Sequence, residues 1–308
     1  MPTRFDIVHT TTYRYSSPVT FGEHRVMFRP RDSHDQRVLA TDLKVNMESI
    51  VRLIQDPHSN SVALVQPLGE SLELQLVCSF TIEQAVDLPV VLMPSPAGEF
   101  LPLSYSLEDR CDLEHYLRPH HEDPKGELAT WSSQFMRPEG RTHTRELLEN
   151  MNRHIGATLT YIPRDEEGTQ TPLTTLKLGS GSCRDYALLM MEAARRLGIA
   201  TRFVSGYLYD AALDIGKEGT GGKDAKDTEG QAIAGAGFTH AWLQAYLPGS
   251  GWATFDPTNN LLGGSQLIRV GVARDPAFAA PVSGSWYGAA GAYLGLTATV
   301  QVTRQAQV

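Results

Sequence analysis

Gly179-Ser180-Gly181-Ser182-Cys183-Arg184-Asp185-Tyr186 is the stretch from which the rest of the chain can be read. After it, Tyr186, Leu189, Met190, Ala193 and Leu197 recur at helical spacing, and Gly198 ends the run. Cys183 therefore opens an amphipathic helix. The N–H groups at a helix start lack intrahelical partners, and the macrodipole there favours thiolate over thiol. The glycines ahead of Cys183 allow a tight turn and a close approach by substrate. The Cys183 amide can itself donate to an oxyanion. The other cysteines lack this setting. Cys78 lies in an apolar run and reads as buried, and Cys111 lies in a charged helix.

Downstream, Phe238-Thr239-His240-Ala241-Trp242-Leu243-Gln244 alternates as a strand does, with His240, Trp242 and Gln244 on one face. Taken alone, a histidine beside a large aromatic is more at home in a core than in a site. Trp252-Ala253-Thr254-Phe255-Asp256 reads as the next strand, ended by Pro257. A carboxylate at that end can accept the imidazole N–H, fix its tautomer and favour the charged ring.

Strand parity sets a condition on this pairing. With a four-residue connection, Pro248 to Gly251, Leu247 meets Trp252 and His240 faces away from Asp256. Pairing Tyr246 with Trp252 sets Trp242 opposite Asp256. His240 is then diagonal to Asp256 on one face, roughly 7–8 Å away between backbone positions. The spacing predicts an odd-length connection or a bulge.

Upstream the pattern is that of strands. Residues 5–15 alternate, and short runs follow at 24–29, 39–45, 50–54, 62–67 and 72–82, separated by turn-prone groups. These predict an antiparallel sandwich or open barrel formed by residues 1–100, with a proline-rich linker from Leu88 to Pro102. Residues 101–308 then form a second unit. Helices are expected at 107–116, 126–135 and 142–155, and strands at 201–209, 239–247 and 252–255. A last pair of strands is expected at 267–272 and 294–302. The glycine-rich, charged segment from Asp214 to Gly237 precedes His240 and reads as a surface loop, either a flap over the site or an inert insertion.

Composition narrows the function. The chain has 308 residues and a formal net charge of −8, against a basic nucleic-acid footprint. Residues 1–15 hold no long apolar run, and no stretch approaches the roughly 20 apolar residues of a membrane span. Three scattered cysteines make no disulfide framework, so a reducing cytoplasm is expected. His115 and His120-His121-Glu122-Asp123 are close together but lack metal-site spacing, and no phosphate-cradling glycine motif occurs. No metal or other cofactor is expected.

Gly181-Ser182-Cys183-Arg184-Asp185-Tyr186, Arg202-Phe203-Val204-Ser205-Gly206-Tyr207, His240-Ala241-Trp242 and Asp256-Pro257-Thr258-Asn259 together resemble the transglutaminase-like core, and residues 5–82 resemble the β-rich region of its bacterial members. The resemblance implies an α+β fold, a papain-like core behind an antiparallel β-rich domain. It implies Cys183 on a helix, and His240 and Asp256 on strands. It covers cross-linking transferases, peptidases, amidases, deamidases and silent members, so fold alone does not choose among them. The motif ahead of His240 departs from the family pattern at Gly237, Phe238 and Thr239.

The expected chemistry is acyl transfer at amide bonds, foremost hydrolysis of a peptide, isopeptide or other amide through a thioester. A cross-linking transglutaminase with an amine acceptor and a silent binding or scaffold protein are the alternatives. Tyr161, Ser182 and Trp242 are the candidates for substrate or oxyanion contact. A peptide or protein amide is the expected partner.

Overall fold

The structure, a computed structural model, describes residues 2–85, 95–164, 168–213, 234 and 237–305. Of the expected loop over 214–237 only Ala234 and Gly237 fall among these residues, and the expected linker is described from Ser95 onward, where Pro96–Glu99 form a short helix. The alternation that begins the chain runs further than residue 15, and β1 spans Thr3–Phe21. Pro18 falls where the register of β1 with its neighbour shifts, between Arg14 and Val19, so its missing N–H takes no bond from the ladder.

Five more strands follow: β2 (His24–Val26), β3 (Gln36–Val45), β4 (Ser49–Gln55), β5 (Ser61–Pro67) and β6 (Glu70–Gln84). Then come α1 (Pro96–Glu99), α2 (Leu107–Leu117), α3 (Glu127–Ser133), α4 (Thr144–Thr158), β7 (Thr160–Tyr161), α5 (Pro172–Leu178) and β8 (Ser180–Gly181). The helix that Cys183 opens is α6 (Cys183–Arg196), followed by β9 (Thr201–Leu208), β10 (Thr239–Leu247), β11 (Gly251–Asp256), β12 (Leu261–Leu262) and β13 (Leu267–Ala273). The chain closes with β14 (Val282–Ser283), β15 (Trp286–Tyr287) and β16 (Tyr293–Arg304).

The expected sandwich is present, but residues 1–100 do not build it alone. One sheet runs β15-β1-β6-β3, with β16 also on β1, and the other runs β14-β2-β5-β4. Phe5 and Ile7 of β1 and Leu76, Phe80 and Ile82 of β6 share one apolar cluster with Val26 and Val65 from the other sheet. The last two expected strands do not pair with each other. β13 joins β9, whereas β16 runs antiparallel along β1 from Tyr293 to Arg304. The C-terminal strands thus complete the N-terminal sheets, because β1 has a free edge that β16 covers.

The second unit is an antiparallel sheet, β12-β11-β10-β9-β13, with α6 packed on it. Leu189, Met190 and Ala193 of α6 share a core with Phe203, Leu243, Leu247 and Phe255 of the strands. Trp242, of opposite parity to Leu243, packs in a separate cluster with Val204, Leu208 and Val272. The two units meet along β9 and β13. Tyr207 and Ile268 enter the sandwich core, and the Gln36 and Gln84 amides donate to the carbonyls of Arg269 and Leu267. Among the described residues, no helix is long and apolar enough to cross a membrane.

Candidate active site

The turn ahead of Cys183 is held by one buried carboxylate. Ser182 is the N-cap of α6, and Asp185, three residues on, reaches back so that Oδ2 accepts from the Ser182 amide (2.8 Å) and hydroxyl (2.9 Å). Asp185 Oδ1 also accepts from Arg164 Nη1 (3.0 Å) and the Gln170 amide (2.7 Å). Gly181 is required by this closeness: a Cβ there would lie 2.9 Å from the Asp185 Cβ. β8 pairs with β7 and sets Tyr161 beside Gly181. Cys183 is thereby fixed as the first residue of α6, only 6% exposed.

The strand register meets the parity condition. Tyr246 pairs with Trp252 and Leu247 with Gly251, which leaves a three-residue connection, Pro248 to Ser250, with Gly249 at φ +87°. Leu243 pairs with Phe255, so the next step sets Trp242 against Asp256 and His240 diagonal to it. His240 Nε2 lies 2.8 Å from Asp256 Oδ2, and both side chains are buried. Asp256 Oδ1 accepts from the Thr258 amide (3.0 Å), and Oδ2 accepts also from Asn259 Nδ2 (3.0 Å).

The electrostatics follow from this arrangement. Burial disfavours the imidazolium, but the Asp256 charge and hydrogen bond, together with the Cys183 sulfur, outweigh it and raise the His240 pKa to about 10. Burial alone would raise the Asp256 pKa, yet the His240 charge and the Asn259 and Thr258 donors hold it below the usual carboxylate range. With Nε2 committed to Asp256, the ring nitrogen left for the sulfur is Nδ1, which is buried and has no other hydrogen-bond partner. A thiol, an imidazole and a carboxylate in series can generate a nucleophile and return its proton to a leaving group.

The three secondary candidates fall out differently. Tyr161 lies beside the site: burial pushes its pKa up to about 12, and the charges of Cys183 and Asp256 add to the shift. Ser182 spends its hydroxyl on Asp185. Trp242 is 1% exposed, with its ring 5.8 Å from that of His240, so it packs against the histidine rather than facing an incoming substrate. Cys78 is buried, which raises its pKa to about 12, and Cys111 is exposed on α2.

The histidines near residue 120 are used structurally. The His120 amide donates to Glu192 (3.0 Å), and His121 faces Asp275 (3.4 Å). Among the described residues, no group of three or more His, Cys, Asp or Glu could hold a metal ion. Sequence reasoning overlooked the roles of Asp185 and Asn259. The Ser-x-x-Asp spacing at 182–185 is a capping-box signal that could have found the first. The second sits in the Asp-Pro-Thr-Asn motif at 256–259, which does not by itself give its role.

This is a cysteine-based catalytic fold. The chain carries a core that matches the transglutaminase-like superfamily over residues 133–257, behind a match to the bacterial transglutaminase-like N-terminal region over residues 5–83. An uncharacterized protein of Mycobacterium leprae is 28% identical over 98% of this chain and 99% of its own length. One of Mycobacterium tuberculosis is 29% identical over 92% of this chain and 88% of its own. The fold is also that of a crystal structure from Cytophaga hutchinsonii titled "Putative Cysteine Protease", with a TM-score of 0.67 at 18% identity, covering 100% of this chain and 92% of that one.

Proposed function

We propose that this protein is a cysteine amidase or peptidase that cleaves a peptide, isopeptide or other amide through a thioester. The observation that carries the reading is the His240–Asp256 contact of 2.8 Å, with Nδ1 left for the sulfur of a residue that opens a helix. Cys183 attacks the carbonyl carbon as His240 takes the thiol proton. The tetrahedral oxygen meets the Cys183 amide at the α6 terminus. Collapse expels the amine, which leaves with the proton from His240. Water, deprotonated by the same ring, then attacks the thioester and releases the acid and the thiol. Asp256 keeps the ring oriented and charged when required. Tyr161 borders the reacting centre and is the contact proposed for substrate.

The test is a screen of the wild type and Cys183→Ala on peptide, glutamine and γ-glutamyl amides, with and without added primary amine, read by mass spectrometry. The expected result is an acid product from the wild type alone. Identical traces for the two proteins would remove the enzyme reading, and an amine adduct in place of the acid would make the protein a transferase.

A further inference from the structure

A sheet edge with free N–H and C=O groups recruits another strand unless something blunts it. Among the described residues, every sheet edge but one is short or blunted. β12, β14 and β15 are two residues long. β13 is covered by side-chain amides. Gln36 donates to and accepts from the Arg269 backbone (2.8 and 3.1 Å), and Asn60 does the same with Val272 (2.7 and 2.9 Å). On β16, the Val300 N–H donates to the Gly237 carbonyl (3.1 Å). β3 is bulged between Val38 and Ala40 and carries Arg37, Asp42 and Lys44.

β4 has none of these devices. It pairs with β5 along all 7 residues, Ser49 to Gln55, without a bulge or proline, and on its other side the sheet ends. Its apolar side chains are open on both faces. Val51 and Leu53 share a face with the core residues Val65 and Ala63 opposite them, yet are 44% and 63% exposed. Ile50 and Ile54, on the other face, are 55% and 43% exposed. Leu53 also borders a groove of about 500 Å³ that it shares with Val38 of β3, which is room for the core-facing side chains of an added strand.

The order of residues in β4 selects the occupant. From either end, Ser49-Ile50-Val51-Arg52-Leu53-Ile54-Gln55 shows the same sequence of polar and apolar positions. In an antiparallel ladder, hydrogen-bonded pairs alternate with non-hydrogen-bonded ones, and a two-fold axis must carry each pair onto one of its own kind. Two copies of one strand therefore pair about an axis on which one residue opposes itself. Centred on Arg52, Ile50 meets Ile54, Val51 meets Leu53 and Ser49 meets Gln55. Centred on Val51 or Leu53, Arg52 meets an isoleucine instead. At the Arg52 centre two arginines face each other, but each holds Glu23 at 2.6 Å, so two ion pairs rather than two bare charges meet on the axis. We propose that β4 is the interface for a second copy of this chain, paired antiparallel about Arg52, so that the two β14-β2-β5-β4 sheets become one. Contact along about 24 Å of strand falls below the roughly 800 Å² per partner of a standard interface, so the dimer is weak and dissociates on dilution.

The experiment uses the full chain. Sedimentation velocity from about 2 to about 200 μM should show the mass rising from 33.8 kDa toward twice that value. Leu53→Lys, at a position already open to solvent, should stay monomeric, because it sets a charge against Val51 of the second copy. Register is read by cross-linking in a Cys111→Ser, Cys183→Ala background, in which the remaining native thiol, Cys78, is buried. With a short bis-maleimide, Arg52→Cys should give a covalent dimer, since position 52 meets itself. Ser49→Cys should not, because its counterpart lies opposite Gln55, about 20 Å along the strand. A chain that stays monomeric throughout refutes the pairing and leaves the edge to a strand of another protein. A dimer that Leu53→Lys does not weaken, or that Ser49→Cys cross-links as readily as Arg52→Cys, refutes this interface.

Discussion

The Asp185 carboxylate takes two hydrogen bonds from one residue, Ser182, at 2.8 Å from its amide and 2.9 Å from its hydroxyl. Ser182 directly precedes Cys183, so the position of Cys183 depends on a side chain inside its own helix. Asp185→Ala strips the partner from these donors and also from Arg164 and Gln170. Each bond to a charged group is worth about 1.5–3 kcal/mol, though such bonds do not add. The expected loss is about 3–5 kcal/mol in urea unfolding. Asp185→Asn should lose less, because it keeps one acceptor. A loss under about 1 kcal/mol for Asp185→Ala would show that the loop holds its shape without the clamp.

Glu192 and Arg195 form an ion pair of 2.8 Å with both side chains wholly buried. Arg195 spends its remaining donors on the carbonyls of Tyr116, Thr201 and Arg274, while Glu192 also accepts from Arg196 and the His120 amide. One turn of α6 thus fastens the segment after α2 and the start of β9. Glu192→Leu leaves a buried guanidinium without its counter-charge, which should cost about 3–5 kcal/mol. Thermal unfolding of the variant checks this, and an unchanged midpoint would refute it.

Local signals carried much of this fold. The helix start at Cys183 follows from a periodic apolar face behind a glycine-rich turn. The His240–Asp256 pairing follows from strand parity, and the three-residue connection meets the condition. The illegible parts are those set by distant partners. Residues 294–302 read as a strand, but nothing in them points to β1, nearly the whole chain away. The α5 helix, only seven residues long, carries too few apolar repeats to stand out from a loop. Asn259 sits in a recognisable motif, yet its bridge to Ala234 exists only once the strands are assembled.

His9 joins the two units. It lies on β1, and its ring nitrogens are 2.7 Å from the Tyr207 hydroxyl of β9 and 3.0 Å from that of Thr11. Burial lowers its pKa from 6.5 to about 4. Between those values the unfolded chain binds a proton that the native state refuses. The contribution is therefore full above pH 6.5 and is lost as pH falls toward 4. The shift corresponds to about 3 kcal/mol. Urea unfolding at pH 7 and pH 4 should show wild type losing about that much more stability than His9→Gln. Parallel losses in the two proteins would count against the assignment.

Asp256→Asn isolates charge from shape at the site. The amide fills the same space at the end of β11 but removes the charge that outweighs burial around His240. Burial then acts with less opposition, and the ring loses its proton well below the wild-type value of about 10. An asparagine can also present its N–H to Nε2, which drives the ring proton onto Nδ1, the nitrogen left for the sulfur. Both effects act against taking a proton from Cys183. Turnover on whichever amide the screen identifies should fall by about 10³–10⁴-fold with the fold intact. The histidine ring resonances, followed by NMR against pH, should show the His240 titration moving down. A titration that stays near pH 10 in the variant would mean that the sulfur, not the carboxylate, holds the charge on the ring.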